Sequence, residues 1–292
     1  MQLLVDKGDF EILAHPEDAE SIIKKAGCTC YQSEQRTTKS SADFVEMLRK
    51  RGHWSMFDHV SATVWFKNIS RGFTHEMVRH RLAAFAQEST RYVDPTEDPL
   101  TGKPGKVDLK VVMPPHKNLE KILDVDMVGE SLYYHEDMES YNLENSYLRI
   151  TPAQMPQLIE NMYKALRDEG WKQEDARQIL PIGTKSDIVV TADFTEWRHI
   201  FRLRTQKAAH WEIRTVMCKV LEAFKELFPT TFNDFIKAGE DDNGVPYYKI
   251  KGFVENIEKM IGNAFKEWRE TQNTDSASSF ACFLKKYYNQ NY

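Results

Sequence analysis

Cysteine is scarce: the chain has four, Cys28, Cys30, Cys218 and Cys282, in 292 residues. Cys28-Thr29-Cys30 is too tight for a relaxed mutual disulfide, and no second pair stands at zinc-ligand spacing. A disulfide framework and a cysteine zinc site are therefore not expected. The cysteines read as reduced and mostly structural, in a cytoplasm. No apolar run approaches the roughly 20 residues of a membrane helix. Met1-Gln2-Leu3-Leu4-Val5-Asp6-Lys7 has no basic region ahead of an apolar stretch, so neither a membrane span nor a secretory signal is expected. A basic surplus is also missing. The 39 Lys and Arg stand against 44 Asp and Glu, a net charge of −5, which argues against a general nucleic-acid binder. Any anion site must be a local concentration of cations.

What is present suffices for a folded enzyme-sized unit. Apolar residues are 41% and aromatic residues 12%, enough to bury a core and to exclude wholesale disorder. Helical spacing is expected over residues 16–26, stopped by Gly27, and over residues 41–51, with Ser41 as cap and Gly52 as stop. Residues 60–67 alternate, with Val60, Ala62, Val64 and Phe66 on one side, and read as a strand. Helical spacing resumes over residues 71–86, 118–126 and 151–167, the last with Thr151 as cap. A short helix over 174–180 is stopped by Pro181. Residues 188–191 read as a strand, and one long helix is expected over 194–228. The tail carries Tyr247-Tyr-Lys-Ile and a helical run over 254–270. Residues 94–105 (DPTEDPLTGKPG) read as an exposed loop whose Gly-Lys does not fit a P-loop. Strands and helices mix without regular alternation. The expected fold is α+β, with mixed helices around a mainly antiparallel sheet and a long helix in the C-terminal half. One domain is expected over 1–292, with 235–292 as a C-terminal extension.

The segment RGFTHEMVRHRLAAFAQESTRY, residues 71–92, is the most unusual. It holds Arg71, Arg79, Arg81, Arg91, His75 and His80 against Glu76 and Glu88. On a helix, successive residues point about 100° apart, so Arg79-His80-Arg81 cannot share a face. With Val78, Leu82 and Phe85 on an apolar stripe, such a helix would be packed and still present cations in several directions. Packed cations call for an anion; the bland alternative is a solvated charged face. His75-Glu76 resembles the start of a His-Glu-x-x-His zinc helix, but the fifth position is Arg79. His80 would lie about 140° around the helix, too far for a shared metal, and no metal is expected. On the expected long helix, Trp197, Phe201, Ala208, Trp211 and Cys218 form a stripe to which Arg204 also belongs, while Arg198 and Arg202 point elsewhere, free to be solvated. An Arg in such a row has a fixed anionic or carbonyl partner, either a ligand or a structural carboxylate.

Arg79-His80-Arg81, seven residues, then Ser89, followed by Thr90-Arg91-Tyr92, resembles the Arg-His-Arg-x7-Ser signature of the flavin-dependent thymidylate synthases. Gly52-His53-Trp54-Ser55-Met56-Phe57-Asp58-His59 resembles that family's Gly-His-x-Ser/Thr-x-Phe-Glu-His segment. Ala176-Arg177-Gln178-Ile179-Leu180-Pro181 resembles its Ala-Arg-x-x-Leu-Pro. Phe201-Arg-Leu-Arg204 with Trp211-Glu-Ile-Arg214 resembles its C-terminal signature. The resemblance covers about residues 26–234.

It implies methylation of dUMP to dTMP, with FAD, NADPH and 5,10-methylenetetrahydrofolate, in a homotetramer whose sites form between subunits. It further implies that dUMP is met by Glu76, Arg79, Gln87, Ser89, Arg91, Arg177 and Arg204, with Arg91 and Arg177 toward the phosphate. Arg204 would also be catalytic, favouring the N3-deprotonated uracil. FAD would be met by His53, Ser55, Arg79, His80, Arg81, Asp193, His199 and Leu203. Ser89 as a helix-end cap and His53 as a hydrogen-bonded histidine beside Gly52 are the plain alternatives. Ala84 and Ala86 stand where small polar residues are common in the family, Asp193 where Asn is, and Ala208 where a flavin-contacting His is frequent. A nucleotide phosphohydrolase would need a cluster of carboxylates for Mg²⁺. A dUMP-binding relative without activity would keep the fold alone.

Overall fold

The computed structural model describes residues 1–30, 32–33, 37–93, 108–126 and 147–251. The expected loop over 94–105 and helix over 254–270 lie outside the described residues. The strands are β1 (Gln2–Val5), β2 (Asp9–Ala14), β3 (Ser61–Ser70), β4 (Ala83–Gln87), β5 (Lys110–Met113), β6 (Leu123–Asp126), β7 (Tyr147–Ile150), β8 (Lys185–Asp193), β9 (Phe235–Glu240) and β10 (Pro246–Ile250). The helices are α1 (Ala19–Cys30), α2 (Ser41–Arg51), α3 (Arg71–Met77), α4 (Met155–Asp168), α5 (Gln173–Ala176), α6 (Phe194–Arg204), α7 (Trp211–Leu227) and α8 (Pro229–Phe232). The fold is α+β. Its main sheet is antiparallel, in the order β2-β3-β8-β4; β1 and β5 form a separate parallel pair.

Alternation decides how the sheet faces. Ala62, Val64 and Phe66 of β3 and Ile188, Val190 and Ala192 of β8 all point into the core, where the aromatic residues of α6, α7 and α8 meet them. Phe194, Trp197, Phe201, Phe224 and Phe232 are fully buried there, in tilted and edge-to-face pairs. On the opposite face the Thr63 and Thr191 hydroxyls pair at 2.9 Å. Near the end of β3 the register shifts. Asn68 adopts φ 56°, a left-handed conformation that Asn tolerates, and its N–H meets Asp187 Oδ1 at 2.9 Å. The strand then feeds directly into α3. Ser70 caps that helix by accepting from Phe73 N at 3.0 Å.

Several expected elements are corrected. The helix expected over 71–86 ends at Met77, residues 78–82 turn, and 83–87 is an edge strand. Ala83, Ala84 and Ala86 favour a helix locally, but pairing with Ala192, Thr191 and Val189 of β8 wins. Val78 and Leu82 are accordingly exposed, not on a packed stripe. The long helix over 194–228 breaks at residues 205–210. There the Thr205 hydroxyl donates back to Phe201 O at 2.8 Å, and Arg214 takes the carbonyls of Lys207 and Ala209 at 2.6 and 2.8 Å and bonds Asp241. These partners satisfy the open backbone of the break. Residues 123–126 pair with β7 instead of extending a helix. α4 begins at Met155, not at Thr151, with Gln154 ahead of it. Ser40, not Ser41, caps α2. Gly27 lies inside α1, where a Cβ would sit 2.7 Å from the Phe44 ring; it permits close packing of α1 on α2 and does not end the helix.

The start of the expected C-terminal extension is part of this packing. Phe235 of β9 is buried edge-on to Phe201 of α6 and Tyr248 of β10 is buried against α7, and Tyr248 N donates to Thr205 O at 2.9 Å. Among the described residues no helix is long and apolar enough to cross a membrane.

Candidate active site

Two groups of cations flank α3. The first centres on Arg204, the last residue of α6. Its Nη1 donates to Glu76 Oε2 at 2.7 Å, its Nη2 to Glu76 O at 2.7 Å, and its Nε to His80 Nε2 at 3.1 Å. Burial opposes its charge, while Glu76 supports it. His80 is buried, with Nδ1 3.2 Å from Glu196 Oε1 and its ring edge-on to His199. Burial first, then the neighbouring Arg204 and His199, push His80 down to about 4. Burial likewise lowers His199, helped by Arg202 and Arg204.

The second group lies at the other end of α3. Arg71, His75, Thr90, Arg177, Gln178, Leu180, Pro181 and Ile182 line a cavity of about 390 Å³. Arg177 donates through Nη1 to Thr90 Oγ1 at 3.1 Å and through Nε to Glu174 O at 3.1 Å. Among the described residues, the Arg71 side chain reaches only the Glu88 carbonyl, at 3.4 Å. Burial and then Arg177 lower its pKa. Among the described residues, no carboxylate forms an ion pair with either guanidinium. The nearby Glu88 carboxylate is committed to Lys185 at 2.9 Å and to Asp187 N at 3.1 Å. Two half-buried guanidiniums lacking a carboxylate have the chemistry to pair with a phosphate-like dianion.

The remaining expected residues take varied places. Gln87 of β4 donates to Thr74 Oγ1 at 2.8 Å and Ser186 Oγ at 3.3 Å. Ser89 accepts from Arg91 N at 3.2 Å in a local turn. Arg91 is exposed and pairs with Glu174 at 3.4 Å. Arg79 and Arg81 are exposed on the turn after α3, and Leu203 is half-buried on α6. His53 and Ser55 are exposed at the start of a 3-10 helix, Trp54–His59. That segment is joined to α6 through Thr195 Oγ1, which donates to Trp54 O at 3.2 Å. Asp193 caps α6 by accepting from Glu196 N at 2.7 Å, so its carboxylate has a local partner; burial raises its pKa. Ala208 is exposed in the α6–α7 break.

Arg198 corrects the expectation of a solvated arginine. It is buried, forms a forked pair with Asp234 at 2.8 and 2.7 Å, and lies over the Trp54 ring at 4.6 Å. The sequence reading also left three features without a role. Arg71 and Thr90 line the cavity that Arg177 enters. Glu196 sits three residues after the Asp193 cap, a spacing visible in the chain. Glu212 is buried and accepts from Ser70 N and Oγ at 2.7 and 2.6 Å, which ties the start of α3 to α7.

Fold and site together define an α+β protein with two guanidiniums lining one cavity and a second cation group centred on Arg204, which its own chain holds. The thymidylate synthase complementing protein model matches residues 11–230, and the chain belongs to that family. It is 32% identical over 231 residues to a flavin-dependent thymidylate synthase of Corynebacterium diphtheriae, covering 78% of this chain and 83% of the relative. It is 32% identical over 230 residues to the enzyme of that name from Geobacter sulfurreducens, covering 76% and 84%. Its fold is similar to that of the UMP/dUMP methylase PolB from Streptomyces cacaoi bound with 5-Br dUMP. The TM-score is 0.56 at 21% identity, over 80% of this chain and 96% of that one.

Proposed function

We propose that this chain is a flavin-dependent thymidylate synthase that converts dUMP to dTMP. The carbon comes from 5,10-methylenetetrahydrofolate, the hydride from reduced FAD, and NADPH restores the flavin. The observation that carries this reading is Arg204. Glu76 and His80 hold its guanidinium at three points, and the second N–H on each terminal nitrogen stays available. A fixed cation beside the uracil lowers the pKa of its N3–H and stabilises the anion, which is richer in electrons at C5, where the new carbon attaches. Arg177 and Arg71 receive the phosphate, with Arg91 at the edge; Gln87 and Ser89 complete the nucleotide side.

The residues present fit a flavin. Arg79 and Arg81 are exposed cations suited to a pyrophosphate, and His53, Ser55, His199 and Leu203 offer polar and apolar contacts near α6. When bound, the flavin supplies the hydride. The protein's own work is positioning and electrostatics. His80 and Asp193 are differently occupied: His80 braces Arg204, and Asp193 caps α6. Exposed Leu82, Val78 and Tyr92 beside these cations support a site completed by neighbouring subunits of a homotetramer.

The test is an absorption spectrum of the purified protein after incubation with FAD and desalting, then anaerobic NADPH with and without dUMP. Retained flavin bands that bleach faster with dUMP, on particles with the mass of four chains, are expected, followed by dTMP formation once the folate is added. A colourless protein that still binds dUMP would leave a nucleotide-binding relative without activity.

A further inference from the structure

We propose that Glu196 is a positioning residue for Arg204 that acts by fixing the tautomer of His80. The proposal rests on the reading of Arg204 as the cation that meets the pyrimidine. An arginine Nε bears a hydrogen and offers no lone pair, so the 3.1 Å contact to His80 Nε2 has one polarity: Arg204 donates and His80 accepts. An imidazole that accepts at Nε2 keeps its single proton on Nδ1, and Nδ1 lies 3.2 Å from Glu196 Oε1. The carboxylate therefore accepts the Nδ1–H. His80 is 4% exposed and Glu196 5%, so each depends on the other for its hydrogen bond.

The chain places Glu196 for this task. Asp193 caps α6 and takes the backbone N–H of Glu196 at 2.7 Å. In a reciprocal capping box the Glu side chain would turn back to the cap; here it turns inward to His80. Glu196 is thereby a buried acceptor two bonds removed from the working guanidinium. Burial, then Asp193, raises its pKa, while His80 is held neutral, in keeping with an accepting Nε2. Were His80 to carry its proton on Nε2, an N–H would face the Nε–H of Arg204. The guanidinium would lose one of its three anchors and with it the plane that aims the remaining N–H groups.

The same geometry argues against another occupant of this cluster. The ligand atoms of His80, Glu196 and His199 lie within 4.8 Å of one another, a grouping able to surround a metal ion. A metal on His80 Nδ1 would need the lone pair there and would send the proton to Nε2, against Arg204. Arg202 and Arg204, both close enough to depress His199, further oppose a divalent cation.

The experiment compares full-length wild type, Glu196→Gln and Glu196→Ala. It uses ¹⁵N-histidine NMR for the tautomer, steady-state kcat and KM for dUMP, and zinc uptake. Wild-type His80 is expected as the neutral Nδ1–H form at pH 7–8, with no stoichiometric zinc. Glu196→Gln, whose amide oxygen still accepts the Nδ1–H, is expected to keep that tautomer and a kcat within about twofold of wild type. Glu196→Ala is expected to shift the tautomer toward Nε2–H and to lower kcat about 10-fold, with KM for dUMP within about twofold. An Nε2–H tautomer in wild type, wild-type kcat in Glu196→Ala, or one zinc per chain lost on that substitution would each overturn the proposal. If the Ala variant does not fold, the wild-type tautomer and the Gln variant decide. A wild-type protein that makes no dTMP overturns the catalytic reading alone. The relay then fails if wild-type His80 is the Nε2–H form or if Glu196→Ala leaves the His80 tautomer unchanged.

Discussion

Arg204 and the Arg71–Arg177 pair flank one short helix, α3, and are wired in opposite ways. Arg204 is saturated by its own chain on one side: a carboxylate, a carbonyl and an imidazole hold it. Among the described residues, Arg71 and Arg177, which border one cavity, have only a hydroxyl and carbonyls as side-chain partners. A braced cation has a fixed direction and a charge partly offset by Glu76. It suits a group whose charge develops during reaction. Unpaired cations repel each other until a dianion arrives, and they suit a group that is charged before it binds. The difference separates aiming from anchoring, and it can be tested from both ends.

The largest effect is expected at the braced cation. Arg204→Lys keeps the charge but replaces a planar fork with a point donor that cannot meet Glu76, His80 and a pyrimidine together. The expected outcome is a kcat lower by about 10²- to 10³-fold, the range for loss of a preorganised donor, with KM for dUMP changed far less. A loss carried mainly by KM would place Arg204 among the anchors and dissolve the comparison.

The brace itself should announce its protonation state. His80 stands at about 4 in the folded chain, against about 6.5 for a free imidazole. Between these values the unfolded chain binds a proton that the folded chain refuses. The stability owed to neutral His80 is thus complete above pH 6.5 and drains as pH falls toward 4. The gap corresponds to at most about 3 kcal/mol. His80→Gln can present its amide oxygen to Arg204 and its amide nitrogen to Glu196, so it keeps both bonds and does not titrate. The stability of wild type minus that of the variant, from urea unfolding, should therefore decline from pH 6.5 to pH 4. A difference that stays flat would mean that His80 is open to solvent and braces nothing.

The parts of this arrangement differ in how far they could be read from the chain. The alternation of Val60, Ala62, Val64 and Phe66 put β3 and its buried face in view, because a strand's period of two is a local property. The family motifs likewise singled out Glu76 and Arg204 for the nucleotide and His80 for the flavin, and the structure joins those three directly. The path of the chain around them was not legible. Residues 83–87 are alanine-rich and favour a helix; only the edge of β8, about 100 residues later, makes them a strand. The break at 205–210 depends on Arg214 and on Asp241, which lies past the end of the helix pattern. Asp193 stands directly ahead of the helix expected from 194, yet the sequence reading named it only for the flavin; in the structure it caps that helix. Arg71 was counted among the cations but given no role, since its relation to Arg177 spans over 100 residues of sequence. Long-range pairing decided the strand at 83–87, the break at 205–210 and the place of Arg71, and local pattern carries no record of it.

The smallest effect is the most discriminating, because it has two signs. Arg71 makes one long hydrogen bond and is disfavoured by burial and by Arg177, against a smaller attraction to Glu88. In Arg71→Met the flexible side chain can fill the same space without the charge. Relief of repulsion between partly exposed cations amounts to a few tenths of a kcal/mol; adding the burial relief, the ligand-free protein should melt about 1–3 °C higher. The same change removes a charge-assisted bond to phosphate, about 1.5–3 kcal/mol, and should weaken dUMP binding by about 10- to 100-fold by calorimetry. A stabilised protein that binds its nucleotide less well is the mark of a cation kept for a ligand and not for the fold. If melting temperature and affinity fall together, Arg71 is structural, and the pocket belongs to Arg177 alone.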